Sequence, residues 1–180
     1  TFSSAASDVY KRQVIYMHPL RKLIFDEKLL SSLAKTYGTP LYIYSQERIT
    51  ENVLNLKNAL NKHFEKFHIC YAIKSNSNPH LIKTMREAFP KIGGDCSSPG
   101  EIYAAELSGI DPSDCIYTGN YESPSDLKKA LTKQCNINLD DITSLNRIKK
   151  IGLPKRISFR MNPGFGGGSY SGIVTGGRDA

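Results

Sequence analysis

Long apolar runs, metal-ligand spacings and nucleotide-binding glycine signatures are all missing from these 180 residues. No apolar stretch approaches the roughly 18 residues that a membrane-spanning helix needs, and no apolar core flanked by Lys or Arg near the N-terminus has the form of a signal peptide. The chain therefore reads as cytoplasmic, with no membrane partner. Cys70, Cys96, Cys115 and Cys135 are spaced 26, 19 and 20 residues apart, and no Cys-x-x-Cys occurs. Neither a zinc site nor a disulfide framework is indicated, so the thiols are expected to be reduced and buried. His18, His63, His68 and His80 form no H-E-x-x-H or other ligand spacing, and no metal is expected. The glycine-rich segment from Gly164 to Gly172 lacks a G-x-G-x-x-G, a Walker lysine and a G-x-S-x-G elbow. It reads as a flexible active-site loop or as a plain surface loop.

What is present describes an ordinary globular chain. Hydrophobic residues make up 39% and charged residues 23%, which excludes collagen-like and disordered classes. The 24 Lys plus Arg exceed the 17 Asp plus Glu, for a net charge of +7. The basic residues are scattered as pairs such as Lys128-Lys129 and Lys149-Lys150 among acidic ones, so a solvated surface is favoured over a nucleic-acid partner.

The first residues stand apart. Ser3-Ser4-Ala5-Ala6-Ser7-Asp8-Val9-Tyr10-Lys11-Arg12-Gln13 resembles the translation of a transposon-end adapter used in sequencing libraries, so residues 1–13 are set aside and Met17 becomes the expected native start.

From Phe67 onward, short apolar strands alternate with helices. Strands are expected at Ile69–Ile73, Lys91–Cys96, Cys115–Gly119, Asn136–Asp140 and Arg156–Met161, with starts 22, 24, 21 and 20 residues apart. That interval is one strand, one helix and two short loops. Asn78-Pro79, Ser98-Pro99 and Ser123-Pro124 each put an oxygen-bearing cap before a proline at the first helical position, where the missing N–H costs nothing. Pro90, Gly109 and Gly152 mark helix ends. Upstream, Pro40–Tyr44 reads as a strand. It is followed by a helix capped by Ser45, whose Ile49, Val53, Leu56, Leu60 and Phe64 form one apolar stripe expected to bury against a sheet. Right-handed crossovers leave two layouts, an open doubly wound sheet or a β/α barrel, and five regular units favour the barrel. A (β/α)8 barrel needs eight strands and typically about 250 residues. The expected fold is thus α/β, a TIM-type barrel truncated to about five strands, with the rest beyond Ala180.

In such barrels, chemistry sits where strands end. Those ends carry Lys74, Asp95, Asn120, Asp140, Arg160 and Asn162. Lys74 follows its strand with no intervening turn, and a desolvated rim lysine has a lowered pKa and an amine free to condense with a carbonyl. It serves equally well as a rim lysine paired with Asp95. Ser98-Pro99-Gly100-Glu101 reads as a capping box that needs no other role for Glu101, and Asp140 or Asp141 can start the next helix.

Four motifs in register carry a resemblance. Tyr37-Gly38-Thr39-Pro40-Leu41-Tyr42-Ile43-Tyr44, Tyr71-Ala72-Ile73-Lys74-Ser75-Asn76, Gly93-Gly94-Asp95-Cys96-Ser97-Ser98-Pro99-Gly100-Glu101 and Arg160-Met161-Asn162-Pro163 resemble the N-terminal half of the alanine-racemase-like, fold type III PLP-dependent decarboxylases. Within that family they resemble most the branch that decarboxylates meso-diaminopimelate to lysine. The resemblance implies pyridoxal 5'-phosphate as cofactor, with Lys74 as the catalytic lysine that carries it, Asp95 as the carboxylate nearby and Arg160 beside the ring. It also implies a small amino-acid substrate, a homodimer when full length, and residues 14–45 contributing a strand to a second β domain, with residues 46–180 forming an incomplete PLP-binding barrel. The phosphate loop, the pyridine-nitrogen partner and the second domain are expected downstream, so the segment alone is expected to be inactive. One departure bears on substrate: Ser169-Tyr170 precedes Thr175-Gly176 where a histidine in a Thr-His or His-His pair is usual. Decarboxylases of ornithine, arginine or carboxynorspermidine, a racemase on the same fold and a non-catalytic PLP-binding homologue are the alternatives.

Overall fold

The computed structural model describes residues 25–120, 122–167 and 176–177. The adapter-like residues, Met17, and the Ser169-Tyr170 departure lie outside them. The chain divides into two compact units, residues 1–48 and 49–180. In the first, helix α1 (Glu27–Tyr37) opens on Asp26, whose carboxylate accepts the Leu29 N–H at 2.7 Å, and closes on Gly38 at φ 79°. Sequence reasoning passed over this helix although its start and stop signals were both there, an acidic N-cap and a glycine that takes positive φ. The expected strand Pro40–Tyr44 is absent: after the cis Thr39–Pro40 peptide, residues 41–45 are irregular, and Tyr42 is 85% exposed. Apolar and aromatic side chains favour extended backbone, but a strand exists only when a neighbour completes its ladder, and none of the described residues does so.

Helix α2 (Gln46–Asn61) begins where expected, with Ser45 Oγ accepting the Arg48 N–H at 3.2 Å. Its stripe buries less than its periodicity promises. No residue of α2 is fully buried, Leu56 is 49% exposed, and Phe64 lies beyond the helix end. Val53 packs on the core, and the Lys57 ammonium sits 5.7 Å from the centre of the Phe89 ring, which itself stacks on Phe67. The helix is held by these contacts rather than by a continuous apolar seam.

The second unit is a five-stranded sheet. The strands are β1 (Cys70–Ala72), β2 (Gly93–Cys96), β3 (Ile116–Tyr117), β4 (Asn136–Leu139) and β5 (Ile157–Phe159). All are parallel and hydrogen-bonded in the order 1-2-3-4-5. Each lies inside the stretch expected for it, shorter by one to three residues. The unbroken order decides between the two layouts. A doubly wound sheet reverses direction at a switch point, whereas a barrel adds each strand beside the last. With right-handed crossovers, that order also puts every connecting helix on one face.

Those helices are α3 (Pro79–Ala88), α4 (Pro99–Leu107), α5 (Pro124–Thr132) and α6 (Ile142–Ile151). The predicted caps form: Asn78, Ser98 and Ser123 accept the N–H groups of His80, Glu101 and Asp126, and Ser123 with Asp126 closes a reciprocal capping box. Glu101 differs by one residue, since its Oε2 accepts the Ser97 N–H at 2.7 Å instead of that of Ser98. Asp141, not Asp140, caps α6. The helices bury Ile82, Ile102, Leu127 and Ile148 against Cys96, Tyr117, Ile137 and Leu139 of the sheet, forming a single core.

Candidate active site

Alternate residues of a strand share a face, and the two faces of this sheet differ sharply. The face under the helices carries Cys96, Tyr117, Ile137 and Leu139, all buried. The opposite face carries Asp95, Thr118, Asn138 and Ser158, half-buried or exposed. Its polar groups are bonded across the strands. Asn138 Nδ2 donates to Thr118 Oγ1 at 3.1 Å, and Ser158 Oγ donates to Asn138 Oδ1 at 2.8 Å. Sequence reasoning missed this ladder, although Asn136 and Asn138 alternating with Ile137 and Leu139 in β4, with Thr118 and Ser158 one crossover away, were its signal.

Lys74 lies at the C-terminal edge of the sheet, in a 3-10 turn (Ile73–Ser75) that follows β1 directly. The strand therefore ends at Ala72, two residues before the lysine, which corrects the expectation of no intervening turn. Ile73 is fully buried and pins the turn, while Lys74 itself is exposed. The expected desolvation is not found among the described residues, because the turn carries Lys74 past the last paired position of the sheet. Tyr71 Oη donates to the Asn76 carbonyl at 3.3 Å and ties the turn back to the strand. Asp95 is half-buried on β2 and is the register partner of Ala72, so it stands one strand over and two residues below Lys74. No ion pair joins the two among the described residues.

Arg160 follows β5 at the same edge. Its backbone N–H donates to the Leu139 carbonyl at 2.9 Å, and Nη1 donates to Asp140 Oδ1 at 3.1 Å. Asn162 is engaged in shaping the backbone: its Oδ1 accepts the N–H groups of Gly164 and Gly177 at 3.0 and 2.9 Å, and its Nδ2 donates to the Gly177 carbonyl at 2.8 Å. It thereby closes the base of the glycine-rich segment, whose residues 168–175 lie outside the described ones. A recess of about 350 Å³ opens there, lined by Arg160, Pro163, Phe165 and Gly176. Asn120 is exposed.

The cysteines lie mainly beneath the sheet. Cys96, Cys115 and Cys135 are buried and free, and Cys70 is half-buried. Burial pushes the Cys70 thiol up to about 11 and the Cys135 thiol up to about 12, while a hydrogen bond to Cys115, reinforced by burial, raises Cys96. Cys70, Cys96 and Cys135 are therefore neutral packing groups at physiological pH, whereas the same hydrogen bond with Cys96 holds the buried Cys115 thiol below the usual thiol range. Among the described residues no cluster of His, Cys, Asp or Glu is arranged to hold a metal, and no helix is long and apolar enough to cross a membrane.

A parallel sheet in the order 1-2-3-4-5, with a polar face opposite its helices and Lys74 and Arg160 just beyond strand ends, has the arrangement of a β/α barrel. The sequence model described as "Pyridoxal-dependent decarboxylase, pyridoxal binding domain" matches residues 47–180, and the chain belongs to that family. Among individual proteins it is similar to the diaminopimelate decarboxylase of Thermoplasma acidophilum, at 39% identity over 82% of this chain and 35% of that one. It is similar also to that of Methanothermobacter thermautotrophicus, at 40% identity over 81% and 34%. The crystal structure of diaminopimelate decarboxylase from Helicobacter pylori complexed with L-lysine superimposes with a TM-score of 0.75 at 32% identity, covering 83% of this chain and 38% of that one. The chain thus spans about a third of the length of the curated relatives it matches.

Proposed function

We propose that this chain is the cofactor-bearing part of a pyridoxal-phosphate-dependent amino-acid decarboxylase, with meso-diaminopimelate as substrate and lysine and carbon dioxide as products. The observation that carries the reading is that Lys74, Asp95 and Arg160, each from a family motif, all lie at or near the C-terminal ends of strands of one parallel sheet. The choice of substrate is supported by the 39–40% identity to diaminopimelate decarboxylases.

The donor set fits pyridoxal phosphate. An exposed primary amine on a pinned turn can hold the aldehyde carbon, and a half-buried carboxylate one strand away favours positive charge beside it. A guanidinium at the far strand offers a planar donor to an anionic or aromatic group. When bound, pyridoxal phosphate supplies the electron-accepting ring that loss of a carboxylate from an amino acid requires. The protein's share is orientation and proton handling: the Ile73–Ser75 turn holds Lys74 in place, and Lys74 Nζ can take up or return a proton once free. On this reading residues 46–180 belong to the barrel, residues 14–45 belong with a second β domain, and the complete protein works as a homodimer.

The test is an absorbance spectrum of the complete polypeptide with added pyridoxal phosphate. The band of lysine-bound pyridoxal is expected in the wild type and lost in Lys74→Ala, with carbon dioxide release from meso-diaminopimelate falling by at least about 10²-fold. A wild-type protein without that band refutes the cofactor assignment. A band without turnover of meso-diaminopimelate refutes the substrate alone.

A further inference from the structure

Asp140 and Arg160 stand at the ends of neighbouring strands. Leu139 and Phe159 are the last register pair of β4 and β5, so the next residue on each strand emerges beside the other. The two side chains meet there at 3.1 Å. Ion pairs between mobile surface side chains contribute little, because both partners must be immobilised to form them. Here both backbones are already held. Arg160 is held by its N–H bond to Leu139, and Asp140 by its neighbour Asp141, whose Oδ1 accepts the Ser144 N–H at 2.9 Å as the cap of α6.

A second arginine braces this loop from behind. Arg147 Nη2 donates to Ser144 Oγ at 2.6 Å, and lies 3.6 Å from Asp141 Oδ2 and 3.8 Å from Glu122 Oε1. The Glu122 side chain, on the connection between β3 and α5, is only 3% exposed. Arg147 therefore joins the segments that follow β3 and β4, and fixes the peptide that carries Asp140. Because Asp141 does the capping, the Asp140 carboxylate is left to meet Arg160.

We propose that Asp140 is a positioning residue that aims Arg160 at the cofactor, with Arg147 as the strut that keeps the Asp140 segment in place between Glu122 and Asp141. An arginine free to sample its rotamers must be ordered when an anion or a ring arrives, whereas one already docked on a carboxylate has lost that freedom beforehand. The inference rests on the reading of Arg160 as a cofactor-contacting residue.

A double-mutant cycle on pyridoxal phosphate affinity tests it, read in the complete polypeptide by the absorbance of lysine-bound pyridoxal. Asp140→Asn is expected to weaken binding about tenfold in the wild-type background and less than about twofold in an Arg160→Ala background. Asp140→Glu, which keeps the charge, is expected to recover most of the loss. The same loss in both backgrounds, or no loss in either, overturns the proposal. Should Asp140→Asn fail to fold, Asp140→Ser in the same cycle gives the same two readings. A wild-type protein with no absorbance band brings down the proposed function and this inference together, whereas a band with no coupling brings down the inference alone.

Discussion

Replacing Gly93 with alanine puts a methyl group where the sheet has no room for one. Gly93 is buried on β2, paired with Cys70 of β1, and its N–H donates to the Ile69 carbonyl at 2.8 Å. An added Cβ overlaps the Asp114 carbonyl oxygen, lies 3.1 Å from the Asp114 carbonyl carbon, and comes within 2.5 Å of His68 Nε2. The histidine could swing aside, but only by losing its 3.0 Å bond to the Asp114 carbonyl. The backbone of the Pro112–Asp114 turn could yield only by pulling the start of β3 away from β2. Overpacking of this kind costs about 1–3 kcal/mol, and the lost hydrogen bond about 1 kcal/mol more, so a total near 3 kcal/mol is expected. In urea unfolding of the complete polypeptide that is a drop in the midpoint of roughly 1 M or somewhat less, because m grows with the surface exposed on unfolding. Gly100 is the internal control. It lies in the first turn of α4, and the nearest atom to an added Cβ is Ser98 Oγ at 3.8 Å. Gly100→Ala should be neutral or stabilising by up to about 1 kcal/mol. Equal midpoints for the two variants would refute the argument that close approach of backbone to backbone, rather than glycine itself, is what β2 requires.

Two further outcomes follow from local chemistry. Ser123→Ala removes the capping box of α5 and should cost about 1 kcal/mol in the same unfolding assay, without altering the absorbance of bound pyridoxal. The thiols predict an alkaline limit. Cys70 and Cys135 keep their protons to about 11 and about 12 in the folded chain, whereas exposed thiols release theirs near 9.0. Above that value the unfolded state binds fewer protons than the folded one, so their contribution to stability is fully present below pH 9 and declines as pH rises toward 11. Unfolding midpoints measured from pH 8 to 11 should fall, and Cys70→Ser with Cys135→Ala should flatten the slope; an unchanged slope would contradict the assignment.

The five strands were legible because each falls at a regular interval between punctuated helices, and the helix starts because Asn78, Ser98 and Ser123 cap through atoms within three residues of their partners. The stripe on α2 shows the limit of periodicity. Ile49, Val53 and Leu60 are half-buried while Leu56 and Phe64 are exposed, because what a face buries depends on which surface is opposite it. The strand at Pro40–Tyr44 failed for a similar reason, since its composition favours extension but a ladder needs a second chain segment. Lys74, Asp95 and Arg160 were identified from motifs spread over 87 positions. That they share one edge of one sheet could be inferred only by assuming the strand order.

Chain order alone determined the rhythm of strand and helix, the caps and the family motifs, because each rests on neighbours along the backbone or on residue type. The tertiary structure decided what depends on residues far apart in the chain. It set the unbroken 1-2-3-4-5 sheet, the polar ladder from Thr118 through Asn138 to Ser158, and the turn that lifts Lys74 past its strand. It also set the meeting of Asp140 with Arg160, twenty positions apart in the sequence and separated there by a helix, a loop and a strand. Parallel register is the physical reason: it brings side chains one crossover apart onto the same level of the same face, and no local propensity encodes that distance.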